Sequence, residues 1–476
     1  MAKKKGEAVM CSVVTVPIIA EKWQEDIIEK RFRIYEKIYN NLLHEKLKDI
    51  NRMKQHKEYR DAISFIDEHY KSHKSDWATA KKDPAYKEAM DIKAKYLKEY
   101  NFTEFGLMAQ VRRFAEPYKE NTCATMNAMT VASPMSVAFQ KYFYEEGKKM
   151  HFKYMGALNS IKSNYKDGMI LKQKNEKGVL KTTYCPESTK NLYIRFGSLR
   201  NGRVIDLKLN VPEKDTYMQE MICRPVRTLA IVRKKVKGKY KYYLQITAEG
   251  APALKYNKET GEIQNIVNPE GERVGMYINT NSLTVYTASK GFTTYQLTTP
   301  HIDKIDTEIA DLNRYLDVSR RLSNPENFNS DGTIKHGIMV EGKRTRLKWT
   351  NSNNYKKAVA KKANLQRVAA EQRKIRAGVI CNEILSLGHE VYVNDYNFKY
   401  AQMKRTDEPV KKDGSPASKK KGGKAIGDAA PSMLLTMMDN KLKAAGYKDG
   451  VIRVKVEVPE KIDANFKKET AMKLAS

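Results

Sequence analysis

GMYINTNSLTVYT, residues 275–287, is the stretch on which the reading of the fold turns. It reads as a strand that turns quickly into a second, TTYQL at 293–297. It opens on a small residue and carries no carboxylate anywhere between 275 and 287. Its nearest polar groups, Asn279 and Asn281, are neutral.

The next element with the same weight is HEVYVNDYNFK at 389–399, a buried β-branched strand followed by an Asn-Phe-Lys turn. Between the two, Ile305, Ile309, Leu312, Leu316 and Ser319 mark one helix face, with Arg314, Arg320 and Arg321 near its far end. A loop rich in Asn, Gly and Lys runs to 353. A long helix then spans 354–387, with Leu365, Val368, Ile375 and Val379 as its apolar stripe and Gly388 as its stop. Beyond 399, the Lys- and Gly-rich segment 410–424 predicts a mobile surface loop, either a plain linker or a basic arm against nucleic acid. Pro431 opens a helix with Leu434, Leu435, Met438 and Leu442 inward, and a last strand covers 451–458. Strands alternating with helices predict an α/β domain.

The part before 275 has two grammars. Residues 9–16 read as a strand closed by Pro17, after which Ile28, Phe32, Tyr35, Tyr39 and Leu42 recur at helical spacing. Helical patterning continues to about 146, with Ser133-Pro134 as a helix start, an N-cap and Pro at the first position. From 148 to 267 short strands take over, with a hairpin turn at Lys237-Gly238-Lys239. Tyr240, Tyr242, Leu244 and Ile246 alternate with Lys241, Tyr243, Gln245 and Thr247, which predicts a small antiparallel barrel to which strand 9–16 returns.

With 476 residues the chain can bury more than one core, and a net charge of +32 exceeds what solubility asks for. Such an excess predicts a polyanionic partner bound through counterion release. The hydrophobic share of 41% excludes a disordered basic tail as the whole protein. Cys11, Cys123, Cys185, Cys223 and Cys381 have no zinc-ribbon spacing and predict a reducing compartment. No apolar run of about 18 residues occurs, so a soluble intracellular protein is expected, without a membrane partner. His69 and His73 lie at i, i+4 but have no third ligand, which favours a solvated surface pair over a metal site.

The stretches 275–287 and 389–399, in this order and spacing, resemble the first and second motifs of the TnpB proteins. These are transposon-encoded, RNA-guided nucleases from which the type V CRISPR effectors descend. Residues 312–337 and 347–358 resemble the segment that joins the two motifs in one branch. The resemblance covers roughly 9–458, strongly from 275 to 446 and weakly in the helical part.

It implies a multidomain α/β chain: a helical recognition lobe (21–147) inserted in a small antiparallel β-barrel (1–20 plus 148–270), then a degenerate RuvC-type, RNase H-like domain (271–476). It implies a guide RNA and a double-stranded DNA target as partners, with Lys148, Lys149, Lys153, Arg195, Arg200 and Arg203 touching phosphates from the barrel. Arg314, Arg320, Arg321, Lys348, Lys399, Lys419, Lys420 and Lys421 would serve from the third domain. The family's first metal-binding aspartate falls on Tyr277, and the glutamate of its second motif on Asn394. Asp395 is adjacent, but neighbours on a strand point to opposite faces.

The family continues through a zinc ribbon to a third acid. Here 459–476 contain no cysteine, and Asp463 is the only candidate remnant of that acid. A carboxylate cluster that holds two Mg²⁺ about 4 Å apart is therefore missing, and no Mg²⁺ or other cofactor besides guide RNA is expected. The expectation is a nuclease-dead, RNA-guided DNA-binding protein, prokaryotic, cytoplasmic and nucleoid-associated when bound, that represses transcription by occupancy. Two other readings stand beside it: a residual Mg²⁺-dependent nuclease using Asp395 or Asp463, and an RNA-binding regulator that never opens DNA.

Overall fold

The computed structural model describes residues 10–73, 76–145, 149–164, 167–198, 203–256, 259–263, 267–337, 339–340, 343–403, 423–457, 459 and 462–476. The chain divides into two compact units, 1–234 with 240–253, and 235–239 with 254–476.

The first unit begins with strand β1 (Cys11–Ile19) and a long helix α1 (Lys22–Met53). The helices α2 (Lys57–Ser72), α3 (Trp77–Ala80), α4 (Pro84–Glu99), α5 (Glu104–Ala115), α6 (Ala124–Asn127) and α7 (Ser133–Tyr144) follow. Then come β2 (Ser160–Asn164), β3 (Met169–Lys174), β4 (Leu180–Thr182), β5 (Leu192–Gly197), β6 (Val204–Leu209), α8 (Thr216–Ile222), β7 (Val226–Val236) and β8 (Lys239–Glu249). The strands form one antiparallel sheet in the order β2-β7-β8-β1-β6-β5-β3-β4. Between β7 and β8 both turn residues, Lys237 and Gly238, have positive φ (48° and 83°), as a two-residue hairpin of this twist requires.

The sheet does not close into the expected barrel: among the described residues β2 and β4 are its edges and do not pair with each other. The apolar surface of the sheet is instead filled by α1, whose Ile28, Phe32 and Tyr35 share one core with Ile194, Phe196, Leu244 and Ile246. Buried cations fasten α1 to the sheet. Arg31 donates to the carbonyl of Phe196 at 2.7 Å, and Arg233 pairs with Glu29 and Glu36.

Three further expectations change here. Strand β1 runs on through Pro17, which lies where β1 leaves β8 for β6. Its missing N–H costs no ladder bond there, and its carbonyl accepts from Asn210 at 2.9 Å. Ser133-Pro134 is not a helix start, because a π-turn at Ala128–Ala132 leads straight into α7 and Ser133 is itself helical (φ −62°, ψ −47°). Pro134 cannot donate back to the preceding turn, and the π-turn absorbs that missing bond. His69 is not solvated either; its side chain is buried, stacks on Phe65 and Tyr86, and reaches the Ala80 carbonyl at 3.0 Å.

The second unit contains β9 (Val274–Ile278), β10 (Ser282–Thr287), β11 (Gly291–Gln296), α9 (Pro300–Ser323), β12 (Met339–Val340), β13 (Lys343–Arg344) and α10 (Asn353–Leu385). It continues with β14 (Val391–Asn394), α11 (Phe398–Gln402), α12 (Gly423–Ala429), α13 (Pro431–Ala444), β15 (Ile452–Val454) and α14 (Ala464–Ala475). Its main sheet has the order β11-β10-β9-β14-β15. The first three strands are antiparallel, and β9, β14 and β15 run parallel. The stretch 275–287, read as one strand, is thus two, because Asn279 accepts from the N–H groups of Asn281 and Ser282 and closes a turn between them.

One face of this sheet carries Val274, Met276 and Ile278 of β9 with Val391 and Val393 of β14. They pack on Ile380 and Ile384 of α10 and on Leu434, Leu435, Met438 and Leu442 of α13. The inward set of α13 is as expected, but that of α10 is not. Ile375 and Val379 are exposed at 59% and 44%, while Ala358, Ala369, Ala377, Ile380 and Cys381 are buried. Small residues on the inward side let the helix approach closely, so the larger apolar residues misidentify the face. Strand β15 is three residues long rather than the eight expected over 451–458, and pairs with Tyr392, Val393 and Asn394 of β14; residue 458 lies outside the described residues.

Candidate functional site

The candidate site lies on the other face of the five-stranded sheet. Side chains alternate along a strand, so if Met276 and Ile278 face α10 and α13, then Gly275 and Tyr277 face away from them. By the same alternation Tyr392 and Asn394 share the Tyr277 side of β14. The register is fixed where the two strands begin. The Glu272 N–H donates to the Leu387 carbonyl at 3.0 Å and that of Val274 to the Glu390 carbonyl at 2.8 Å. Gly388 comes so near Glu272 that a Cβ there would sit 1.9 Å from its carbonyl.

The C-terminal helix α14 covers this second face, packing across β9, β10 and β14. Gly275 makes the contact possible: a Cβ on it would meet the carbonyl of Ala471 at 1.9 Å. The ring of Tyr277, 1% exposed, meets Phe466 edge to face at 5.6 Å and 81°. Burial pushes the Tyr277 phenol above its ordinary range, with Tyr396 adding to the effect, so it is neutral near pH 7.

Asn394 is 5% exposed, and both ends of its amide are engaged. Its Oδ1 accepts from the Ile278 N–H at 2.6 Å and its Nδ2 donates to the Ile278 carbonyl at 3.1 Å. The side chain thus acts as one extra rung between β14 and β9. A carboxylate has no hydrogen to give and could make only half of this pair.

The two acids singled out in the sequence lie differently. Asp395 is exposed, and its backbone N–H joins Val454 at 2.8 Å. Asp463 is the N-cap of α14 and accepts from the Phe466 N–H at 2.8 Å. Among the described residues no three His, Cys, Asp or Glu side chains gather as a metal site. A neutral phenol and an amide tied to the backbone do not fit a pair of Mg²⁺ ions, which favour charged oxygen ligands.

The expected phosphate contacts fall in both units. Lys149 is exposed, and Lys153 lies over Tyr39 at 5.2 Å with its backbone held by Asn40. Arg195 grips Asp206 through two bonds of 2.8 and 2.7 Å, and Arg203 pairs with Glu120 at 3.1 Å. In the second unit Arg314 pairs with Asp311, Arg321 pairs with Asp317 at 2.9 Å, and Arg320 lies 3.6 Å over the Trp349 ring. Lys348 and Lys399 are exposed. Lys148, Arg200, Lys419, Lys420 and Lys421 lie outside the described residues, as does most of 410–424. Phe466 and Gly275 were not among the sequence candidates; the apolar and small positions of 464–475 are the signal that could have found the covering helix.

No family model matches the chain, and no curated protein does. Among solved structures it is similar to a Cas12f1–sgRNA–target DNA complex, over 98% of both chains, at 11% identity and a TM-score of 0.41. A CRISPR-Cas12f ternary complex matches over 94% of this chain and 89% of that one, at 11% identity and a TM-score of 0.25. A Cas12i1 R-loop complex before target DNA cleavage matches over 91% and 57%, at 10% identity and a TM-score of 0.27. Among the described residues no helix is long and apolar enough to cross a membrane.

Proposed function

We propose that this chain is an RNA-guided DNA-binding protein whose RNase H-like centre no longer cuts. It binds a guide RNA and a matching DNA strand, and occupancy of the target blocks transcription. Base pairing reads the sequence while the protein holds backbone shape.

The observation that carries this reading is the state of Tyr277 and Asn394. They stand where the resemblance puts two metal-binding carboxylates. One is a neutral ring packed on Phe466, and the other spends both ends of its amide on Ile278. The net charge of +32 supports a nucleic-acid partner. The alternation of strands and helices around one five-stranded sheet supports the RNase H-like part.

The test is to purify the protein, sequence the RNA that comes with it, and present a matched target in Mg²⁺ or Mn²⁺. The expected result is a discrete structured RNA, target binding and no cleavage. Protein without any preference for structured over random RNA at about 150 mM salt refutes guidance.

Residual cleavage is the second reading, favoured by one observation: Asp463 lies on the helix whose Phe466 touches Tyr277. Nicking that vanishes in Asp463→Ala would establish it.

A further inference from the structure

Two cysteines that lie 38 residues apart in the chain are brought together by the fold of the first unit. The Cys185 thiol donates to the Cys223 carbonyl at 3.0 Å. Cys185 is exposed, in the connection between β4 and β5. Cys223 is half-buried and caps the end of α8, its N–H donating to the Gln219 carbonyl at 3.3 Å. A neighbouring rung holds the two segments side by side, since the Val226 N–H donates to the Tyr184 carbonyl at 3.0 Å. Traced through the thiol–carbonyl contact, the two Cα atoms are at most about 8 Å apart with every bond in line. Any bend brings them toward the span of about 4.4–6.8 Å that a disulfide needs.

Burial raises the Cys223 thiol above its ordinary range, and the nearness of Cys185 adds to the effect. Cys123 and Cys381 are different: burial pushes them up to about 12 and about 11, as for thiols that stay inert. Cys11 is exposed on β1. Cys223 also lines an open cleft of about 830 Å³ whose walls carry Glu187, Lys190, Lys208 and Glu213. A small charged oxidant has room there beside the pair.

We infer that Cys185 and Cys223 are a reversible dithiol–disulfide pair, closed by a low-molecular-weight disulfide such as oxidised glutathione and reopened by its reduced form. The exposed Cys185 attacks first, as thiolate, on one sulfur of the oxidant. The oxidant's S–S bond breaks, one glutathione leaves as thiolate, and Cys185 keeps the other as a mixed disulfide. The Cys223 thiolate then attacks the Cys185 sulfur and expels the second glutathione. The two cysteine protons end on the two released thiols, and the two electrons that the cysteines lose go to the oxidant. In a reducing compartment such a pair rests open, and its closure reports a change of redox state. Closed, it ties the connection before β5 to the end of α8, which are two walls of the cleft. The inference does not depend on the guided reading.

The experiment exposes the full chain, reduced and without denaturant, to oxidised glutathione. It then alkylates the remaining thiols and maps the linked peptides by mass spectrometry. The wild-type protein should lose two hydrogens and give one crosslink, Cys185 to Cys223, that dithiothreitol reverses. Cys223→Ser should stop at the mixed disulfide on Cys185. Cys185→Ser should take up glutathione at Cys223 about ten-fold more slowly than the wild-type protein closes, because the remaining thiol is half-buried and less ionised. Equal thermal unfolding of all three proteins under reducing conditions checks that the variants fold. Hydrogen exchange in 186–191 and 216–222 should slow on oxidation of the wild-type protein and in neither variant. A wild-type adduct on Cys185 that does not close, a link to Cys11 in place of Cys223, or a 185–223 link that forms only in urea overturns the inference. So does a crosslink that leaves exchange in both segments unchanged.

Discussion

Replacing Asn394 by Asp changes one atom type and no volume, and the consequence follows from two hydrogen bonds. The retained oxygen still accepts from the Ile278 N–H, but the second oxygen now faces the Ile278 carbonyl where Nδ2 had donated at 3.1 Å. With the residue 5% exposed, water cannot take the place of the lost donor. Leaving that carbonyl unpaired costs about 1–3 kcal/mol.

Protonation restores a donor, so the new carboxyl should titrate well above the usual value of about 3.9. A group whose folded pKa is raised is well tolerated below its unfolded pKa and increasingly unfavourable as pH climbs to the folded one. A folded pKa one unit above the unfolded one corresponds to about 1.4 kcal/mol. If the new carboxyl titrates near pH 6, about two units up, Asn394→Asp should trail wild type by about 3 kcal/mol at pH 7.5 and by under about 1 kcal/mol near pH 4. Thermal unfolding at the two pH values measures the gap, and hydrogen exchange of the 274–278 peptide locates it. A gap of the same size at both pH values, or none at either, refutes the assignment of the Asn394 amide as a rung of the sheet.

Three other outcomes follow from the same face of the sheet. Gly275→Val puts a side chain into the backbone of α14, so the helix must lift; a loss of about 1–3 kcal/mol, with faster proteolysis within 464–475, is expected. Asp463→Ala removes the N-cap of α14 and should cost about 1 kcal/mol in thermal unfolding, with no change in guided target binding. Tyr277→Asp combined with Asn394→Glu should still bind guide and target, should be less stable without divalent metal, and should not cut in a guided cleavage assay. Robust cutting would show that a third acid is in place.

Much of the second unit was legible in the sequence, because its signals are local. Pro431 starts α13, Leu434, Leu435, Met438 and Leu442 all face inward, and strand 391–394 follows directly on the Gly388 stop. Where the reading failed, a competing contact decided. Ile375 and Val379 look like a core stripe until Ala369 and Ala377 are seen to allow closer packing on the opposite side. The barrel fails for the same kind of reason. Alternation in β8 correctly gives the buried face, but cannot say that α1 rather than more sheet will cover it.

The centre itself was half legible. Tyr277 and Asn394 were found as residue types out of place, but nothing in their own neighbourhood reveals what occupies the room beside them. That comes from residues 464–475, far along the chain, which lie across Gly275 and set Phe466 against Tyr277. On the proposed reading the two positions are therefore more than an erased metal site. An empty carboxylate cage would leave unpaired polar atoms and a void, and both are costly inside a protein. Here the ring and Phe466 occupy the space, and the amide satisfies both polar groups of Ile278. Each replacement gains its stability from contacts that a carboxylate would break. Restoring the acids removes those contacts without supplying the space a metal needs, so the way back to a cutting enzyme runs through α14 as well as through the two strands.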